Sequence, residues 1–138
     1  MGNTSVRGKD ILIDKTPVLI FNIFSDFTKF NSALPADMTQ KIEVTADTIV
    51  SEVQGFKLGI QVEERIPYSK IILKEFGKSP FPFNISLNMD PVGLDKTLFH
   101  IELDAELNSM MKMMVGKRLQ KVVDSLSDQI EKAIFHQN

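Results

Sequence analysis

Apolar residues recur every three or four positions through the last thirty or so residues of the chain. No proline lies between Asn108 and Phe135, and Gly116 is the only weak helix former of consequence there. The spacing places one apolar stripe along about seven turns of α-helix. It therefore predicts a long amphipathic helix that needs a partner surface. The stripe consists of Met111, Val115, Leu119, Val122, Leu126, Ile130 and Ile134.

Residues from Lys41 to Leu107 alternate instead between apolar and polar side chains in short runs, which is typical of strands with one buried face. The clearest run extends from Phe99 to Leu107. Short turns between the later runs favour antiparallel pairing. The pattern predicts six strands, at 42–44, 48–53, 56–63, 70–76, 83–89 and 99–107.

The N-terminal part of the chain predicts one strand and then two short helices. Residues 4–14 alternate weakly and favour a strand. Thr16 suits an N-cap and Pro17 suits the first position of a helix, so a helix of about two turns is predicted to start there. Asp26 is placed to cap a second short helix that contains Phe27.

Together these elements predict an α+β fold with an antiparallel sheet of about seven strands. One face of the sheet is polar, and the other is apolar and must be covered. Since only the C-terminal helix is long enough to cover it, we expect this helix to lie across the concave face of a curved sheet. Residues 1–138 suffice for one domain with a sizeable core. Such an arrangement can enclose a cavity.

Composition narrows the classes of partner and the kinds of site. The formal net charge of −2 gives no long-range field with which to attract nucleic acid. The absence of cysteine excludes disulfides, thiol catalysis and thiolate metal sites. The early apolar run 18–21 is too short for a signal sequence or a membrane span. We therefore expect a cytoplasmic protein without a transmembrane segment or a nucleic-acid partner; the sequence predicts no oligomeric state.

The two histidines do not predict a metal site. His100 falls on the polar face of the last predicted strand and is expected to point to solvent. His136 lies near the C-terminal end, where the chain is expected to fray. Because no carboxylate pair accompanies either at ligand spacing, we expect no zinc or iron centre and no other cofactor.

Glu64 is the one candidate for acid–base catalysis. It continues the apolar phase of Ile60 and Val62, so an unbroken strand turns its carboxylate towards the interior. A carboxylate there could act as a general acid or base, or could anchor the polar end of a ligand. The alternative is a twist or bulge near Arg65 that lets Glu64 reach water, and the position of Glu64 at the strand end favours it.

Four methionines mark the start of the long helix: Met110, Met111, Met113 and Met114. Methionine is unbranched and polarizable, so the cluster suits either a cavity wall for variable apolar guests or ordinary core packing. At least one of the four must point partly outward, because five consecutive helical positions cover more than one turn.

The order of predicted elements resembles the helix-grip fold of the START and birch-pollen-allergen superfamily, also called SRPBCC. The resemblance is carried by residues 11–13, by 17–27, and by the strand 99–107 followed by the helix entry 110–117. In that fold, a curved sheet of about seven strands grips a long C-terminal helix. Its members include lipid and hormone carriers, polyketide cyclases, aromatases and chaperone activators, so the resemblance implies a fold and leaves the function open.

Three functions follow as hypotheses. The first is binding or carriage of a small apolar or amphipathic molecule in a cavity between sheet and helix. The second is an enzyme of the polyketide cyclase or aromatase kind that uses Glu64 or an unidentified hydroxyl. The third is an interaction module of the chaperone-activator type, without a ligand. For the first, the predicted ligand-binding residues are Phe24, Phe27, Ile60, Val62, Leu87, Met89, Phe99, Ile101, Leu103, Met111, Met114 and Leu119.

Overall fold

A computed structural model describes residues 2–33, 42–53, 56–77, 79 and 81–135. These residues form eight antiparallel strands in one sheet and three helices. In chain order the elements are β1 (Gly2–Arg7), β2 (Ile11–Ile13), α1 (Pro17–Phe24), α2 (Phe27–Ala33), β3 (Glu43–Val44), β4 (Thr48–Val53), β5 (Phe56–Ile66), β6 (Lys70–Glu75), β7 (Phe83–Val92), β8 (Lys96–Leu107) and α3 (Ser109–Phe135).

The strands follow the order β1-β8-β7-β6-β5-β4-β3, and β2 also pairs with β8. The prediction of one strand over residues 4–14 is wrong, because the chain breaks at Gly8 into two strands that pair with different halves of β8. The Gly8 N–H donates to Ile101 O at 2.8 Å. The Gly8 backbone also lies so close to α3 that an added Cβ would be 2.5 Å from Ser127 Oγ.

The two short helices begin at the predicted residues. Thr16 caps α1, where its Oγ1 accepts a hydrogen bond from the Leu19 N–H at 3.3 Å. At α2, Asp26 Oδ1 accepts hydrogen bonds from the Thr28 side chain and from the Thr28 N–H, and the side-chain bond is the main reason that the pKa of Asp26 lies below its usual value. The Phe27 N–H donates to the turn between β3 and β4, at Ala46 O (3.0 Å).

The long helix α3 covers the concave face of the sheet, where it packs on β8, β1 and β4. Asn108 caps it, because its Oδ1 accepts a hydrogen bond from the Met111 N–H at 2.8 Å. The predicted stripe is confirmed as the packing face: Val115, Leu119, Val122 and Ile130 are buried. The side chain of Ile134 lies outside the described residues.

Polar contacts fasten α3 to the edge of the sheet at β1. The Lys9 ammonium lies 2.9 Å from an Asp128 carboxylate oxygen and 2.8 Å from one of Glu131, and the hydrogen bond to Glu131 is the largest cause of its raised pKa. Gln120 Nε2 donates to Arg7 O at 3.1 Å. This edge therefore holds the helix by several independent contacts. Within the described ranges, no helix combines the length and apolar character of a membrane span.

Candidate functional site

A partly enclosed cavity of about 70 Å³ lies between the concave face of the sheet, α2 and the C-terminal half of α3. Fifteen described residues line it, and twelve of them are apolar. The apolar residues of the wall are Phe24, Phe27, Ile42, Val44, Ile49, Ile60, Leu73, Ile85, Leu87, Ile101, Leu126 and Ile130.

Strand register explains why apolar side chains converge there. Ile49 pairs with Ile60 across β4 and β5, and Leu73 pairs with Ile85 across β6 and β7. Directly opposed residues in antiparallel strands point to the same face, so these positions all face α3. The inward-facing apolar side chains of neighbouring strands therefore lie side by side and form the cavity wall.

Three polar residues also belong to the described part of the wall: Asn31 from α2, Ser51 from β4 and Gln129 from α3. All three are uncharged at every accessible pH. Asn31 Oδ1 is buried and has no hydrogen-bond partner in the protein. None of the described lining residues is ionisable, so this described part of the wall supplies no side chain for general acid–base catalysis.

A β-bulge between Val62 and Glu64 reverses the phase of β5. Val62 pairs with Leu73 on the concave face, whereas Glu64 pairs with Ile72 on the outer face. Glu64 is exposed. The prediction that Glu64 faces the interior as a catalytic candidate is therefore wrong, and the alternative of a bulge that lets it reach water is confirmed.

The same bulge brings Arg65 to the concave side, opposite Ile71. Its guanidinium donates two hydrogen bonds to Ser25 O, at 2.8 and 3.2 Å, and lies 2.5 Å from Asp47 Oδ1. Arg65 thus joins the corner between α1 and α2 to the turn between β3 and β4, beside the cavity. Strand alternation could not indicate this role, since it places Arg65 on the outer face until the bulge is known.

The structure places five of the predicted ligand-binding residues in the cavity wall: Phe24, Phe27, Ile60, Leu87 and Ile101. Their contact with a ligand stays a prediction. Six other predicted ligand-binding residues pack in the core outside the cavity wall, and two of them, Val62 and Met111, are only partly buried. Those core residues are Val62, Met89, Phe99, Leu103, Met111 and Leu119.

The methionine cluster at the start of α3 does not line this cavity. The exposed fractions of Met110, Met113 and Met114 are 69%, 89% and 63%, so the prediction that Met114 faces the interior is wrong. Met111 alone of the four packs against the core. The cavity lies under the opposite end of α3, where Leu126, Gln129 and Ile130 close it.

The outer face of the sheet carries His100, as its alternation predicts. The expectation that it points to solvent is wrong, however, because only 12% of its side chain is exposed. Asn88 and Glu102 flank it, and its Nε2 lies 3.5 Å from Glu102 Oε2. His136 lies outside the described residues. Within the ranges that the structure covers, no group of three or more His, Asp or Glu side chains could hold a metal ion.

The fold resembles solved structures over nearly the whole chain. A START superfamily protein from Mycobacterium smegmatis is 19% identical, with a TM-score of 0.66, and the match covers 99% of this chain and 100% of that one. Norcoclaurine synthase from Thalictrum flavum is 10% identical, with a TM-score of 0.73 and coverage of 97% and 87%. The Zhui aromatase/cyclase from Streptomyces sp. R1128 is 12% identical, with a TM-score of 0.69 and coverage of 96% and 92%.

No family model matches the chain, and no curated protein matches it significantly. At these low identities the structural likeness shows the fold alone. It confirms the helix-grip fold of the START and birch-pollen-allergen superfamily, with eight strands in the described residues.

Proposed function

We propose that this chain binds a small apolar or amphipathic molecule in the cavity between the sheet and α3. The observation that carries the proposal is a cavity whose described lining consists of twelve apolar side chains and three neutral polar ones. Burial of apolar ligand surface supplies the driving force, at about 25 cal/mol per Å². A mostly apolar pocket with a few convergent polar groups is the usual form of a small-molecule site.

The cavity volume limits what can enter without movement of the protein. A cavity of about 150 Å³ holds benzene, whereas this one measures about 70 Å³. A ligand of that size or larger therefore requires the wall to move outward. The side formed by α2 and β3 suits such movement, because α2 has seven residues and β3 only two. Short elements at a sheet edge open at low free-energy cost.

An enzyme of the cyclase or aromatase kind has less support. Two of the structurally similar proteins are norcoclaurine synthase and an aromatase/cyclase. In this chain, however, Glu64 lies on the outer face and the described cavity wall contains no acid or base. The interaction-module hypothesis predicts a filled interior, which the open volume between α2 and α3 disfavours.

Isoleucine methyl NMR provides a direct test. Six lining residues are isoleucines: Ile42, Ile49, Ile60, Ile85, Ile101 and Ile130. Titration with toluene is expected to shift their δ1-methyl signals, while the buried Ile11, Ile13 and Ile20, which lie outside the cavity wall, stay unchanged. Native mass spectrometry of the purified protein is expected to detect a bound small molecule.

A cavity-filling substitution supplies the control. Ile60→Phe adds bulk to the wall and is expected to weaken toluene binding at least about tenfold, because the added ring occupies space that the ligand needs. Ile66→Phe on the same strand is the matched control, since Ile66 is exposed on the outer face. Equal effects of the two variants, or shifts spread evenly over all isoleucines, would contradict binding in this cavity.

A further inference from the structure

The polar groups in the cavity wall limit the chemistry of a ligand more closely than the apolar part of the wall does. Asn31, Ser51 and Gln129 come from three different elements and meet at one otherwise apolar cavity. Asn31 is distinctive, because its buried Oδ1 has no partner in the protein. A buried amide oxygen without a hydrogen bond costs folding free energy, and a donor on a bound molecule would remove that cost.

Asn31 is also held in position from the start of its helix. The Phe27 N–H bonds to Ala46 O at 3.0 Å, and Asp26 caps the first turn of α2 through the Thr28 N–H at 3.0 Å. Asn31 lies four residues after Phe27, so both project from the same side of the helix, and both line the cavity. A polar atom is thereby fixed beside an aromatic wall.

We propose that Asn31 anchors the hydroxyl group of a small, neutral ring compound, such as a phenol or a cyclic alcohol. This inference rests on the proposed function. A hydroxyl both donates and accepts, so it pairs with the Asn31 amide whichever of its two polar atoms faces the ligand. Ser51 and Gln129 line the same cavity and are the other two polar residues of its described wall.

The charge of the wall supports a neutral ligand, and its volume supports a compact one. The described lining contains no ionisable side chain, so a buried carboxylate or ammonium would lose its hydration without a counter-charge. With about 70 Å³ available, a single ring requires far less movement of α2 and β3 than a long acyl chain or a polycyclic molecule does.

Phenol and toluene provide a matched test, because they have the same shape and differ by a hydroxyl in place of a methyl group. In a purely apolar cavity toluene binds more tightly, since the phenol hydroxyl loses its hydrogen bonds to water. We expect the wild-type protein to bind phenol at least as tightly as toluene, measured by the isoleucine δ1-methyl titration. Benzoate, the anionic probe, is expected to bind at least tenfold more weakly than phenol.

Replacement of Asn31 tests whether its side chain anchors the hydroxyl group of the ligand. Asn31→Leu is expected to shift the ratio of phenol to toluene affinity about tenfold towards toluene, because the hydroxyl loses its partner while apolar contact is kept. Asn22→Leu, at an exposed position of α1, is the matched control and is expected to leave the ratio unchanged. Asn31→Ala provides a second variant of smaller volume with the same expected direction.

The outcomes separate this inference from the proposed function. Toluene binding at the lining isoleucines with much weaker phenol binding in the wild type overturns the hydroxyl anchor and leaves apolar binding intact. Tighter binding of benzoate than of phenol overturns the neutral class. An unchanged ratio in Asn31→Leu overturns the role of Asn31, and failure of both toluene and phenol to reach the cavity overturns the proposed function itself.

Discussion

Substitution of Gly8 by alanine tests how the long helix is seated on the sheet. Gly8 separates β1 from β2 and faces α3, where an added Cβ would lie 2.5 Å from Ser127 Oγ and 3.0 Å from Val123 Cγ1. Ser127 is fully buried, and its hydroxyl donates to Val123 O at 2.8 Å. The hydroxyl therefore has little space into which it can move.

Two opposing effects decide the magnitude for Gly8→Ala. Overpacking of a well-packed interior costs about 1–3 kcal/mol. Alanine also lowers the conformational entropy of the unfolded chain, which stabilises the folded state by about 0.4–1 kcal/mol. The clash is the larger effect, so we expect a net loss of about 1–2 kcal/mol in the free energy of unfolding. For a chain of this length, that loss lowers Tm by about 3–10 °C.

Urea unfolding followed by circular dichroism measures the effect, and a double-mutant cycle locates its cause. Ser127→Ala removes the hydroxyl that Gly8→Ala would meet, so the Gly8 substitution is expected to cost about 1 kcal/mol less in that background. Gly116→Ala is the matched control, because its nearest atom, Lys112 Cγ, would lie at an ordinary 3.6 Å. We expect this control to stabilise the helix by about 1 kcal/mol.

Two results would refute this account of the contact between Gly8 and α3. One is a Gly8→Ala protein as stable as the wild type. The other is a strictly additive cycle, which would show that Ser127 does not sense the added methyl group.

Three further substitutions test other contacts. Arg65→Ala is expected to lower the free energy of unfolding by about 1–2 kcal/mol, because it removes charged hydrogen bonds at the corner of α1 and α2. The control is Arg7→Ala, at an exposed ion pair, which should change the free energy of unfolding in urea by less than about 0.5 kcal/mol. Thr16→Ala is expected to lower the free energy of unfolding by about 1 kcal/mol through loss of the α1 N-cap, whereas Thr16→Asn should keep most of the capping stabilisation. Equal thermal stability of the two variants would exclude this capping role. The pKa of Asp26 is lowered in the folded state, so the ionised carboxylate stabilises the fold above the usual pKa of 3.8, and this stabilisation is lost as the pH falls through the folded-state pKa. The difference in the free energy of unfolding between wild type and Asp26→Asn should therefore narrow in acid. A constant difference in urea unfolding from pH 6 to pH 2 would contradict this.

Periodicity predicted those parts of the fold in which burial alone decides the orientation of a side chain. The stripe on α3 placed Leu126 and Ile130 on the packing face, and both line the cavity. Alternation likewise placed Leu87 and Ile101 inward. These predictions succeeded because an apolar side chain has one favourable side, which can be recognised from neighbouring residues alone.

The position of Glu64 at the predicted strand end favoured a bulge in β5, but the long-range contacts that the bulge creates had no signal in the sequence. The extra residue between Val62 and Glu64 reverses the face to which every later side chain of β5 points. The distant partners of Arg65, namely Ser25 O and Asp47, bond to it in the bulged register. Contacts between residues this far apart in sequence cannot be inferred from alternation.

The position of the cavity along α3 also depended on distant contacts. The sequence shows which face of the helix is apolar at both ends but not which end is packed tightly against the sheet. At the start of α3 the methionines turn outward, and Met111 alone of the four packs on the core. Under the C-terminal half, α2 and the short β3 leave space that the sheet does not fill.

The contacts of α3 therefore divide the molecule into a fixed side and a side that can open. Gly8, Lys9 and Gln120 fasten the helix at the β1 edge by close packing, ion pairs and a hydrogen bond. The cavity extends towards the opposite edge, where Arg65 provides charged contacts to the turns around α2. A ligand that needs more room than 70 Å³ should displace α2 and β3 rather than α3. Gly8→Ala should accordingly lower global stability with little change in ligand affinity, whereas Arg65→Ala should change the rate at which toluene enters and leaves.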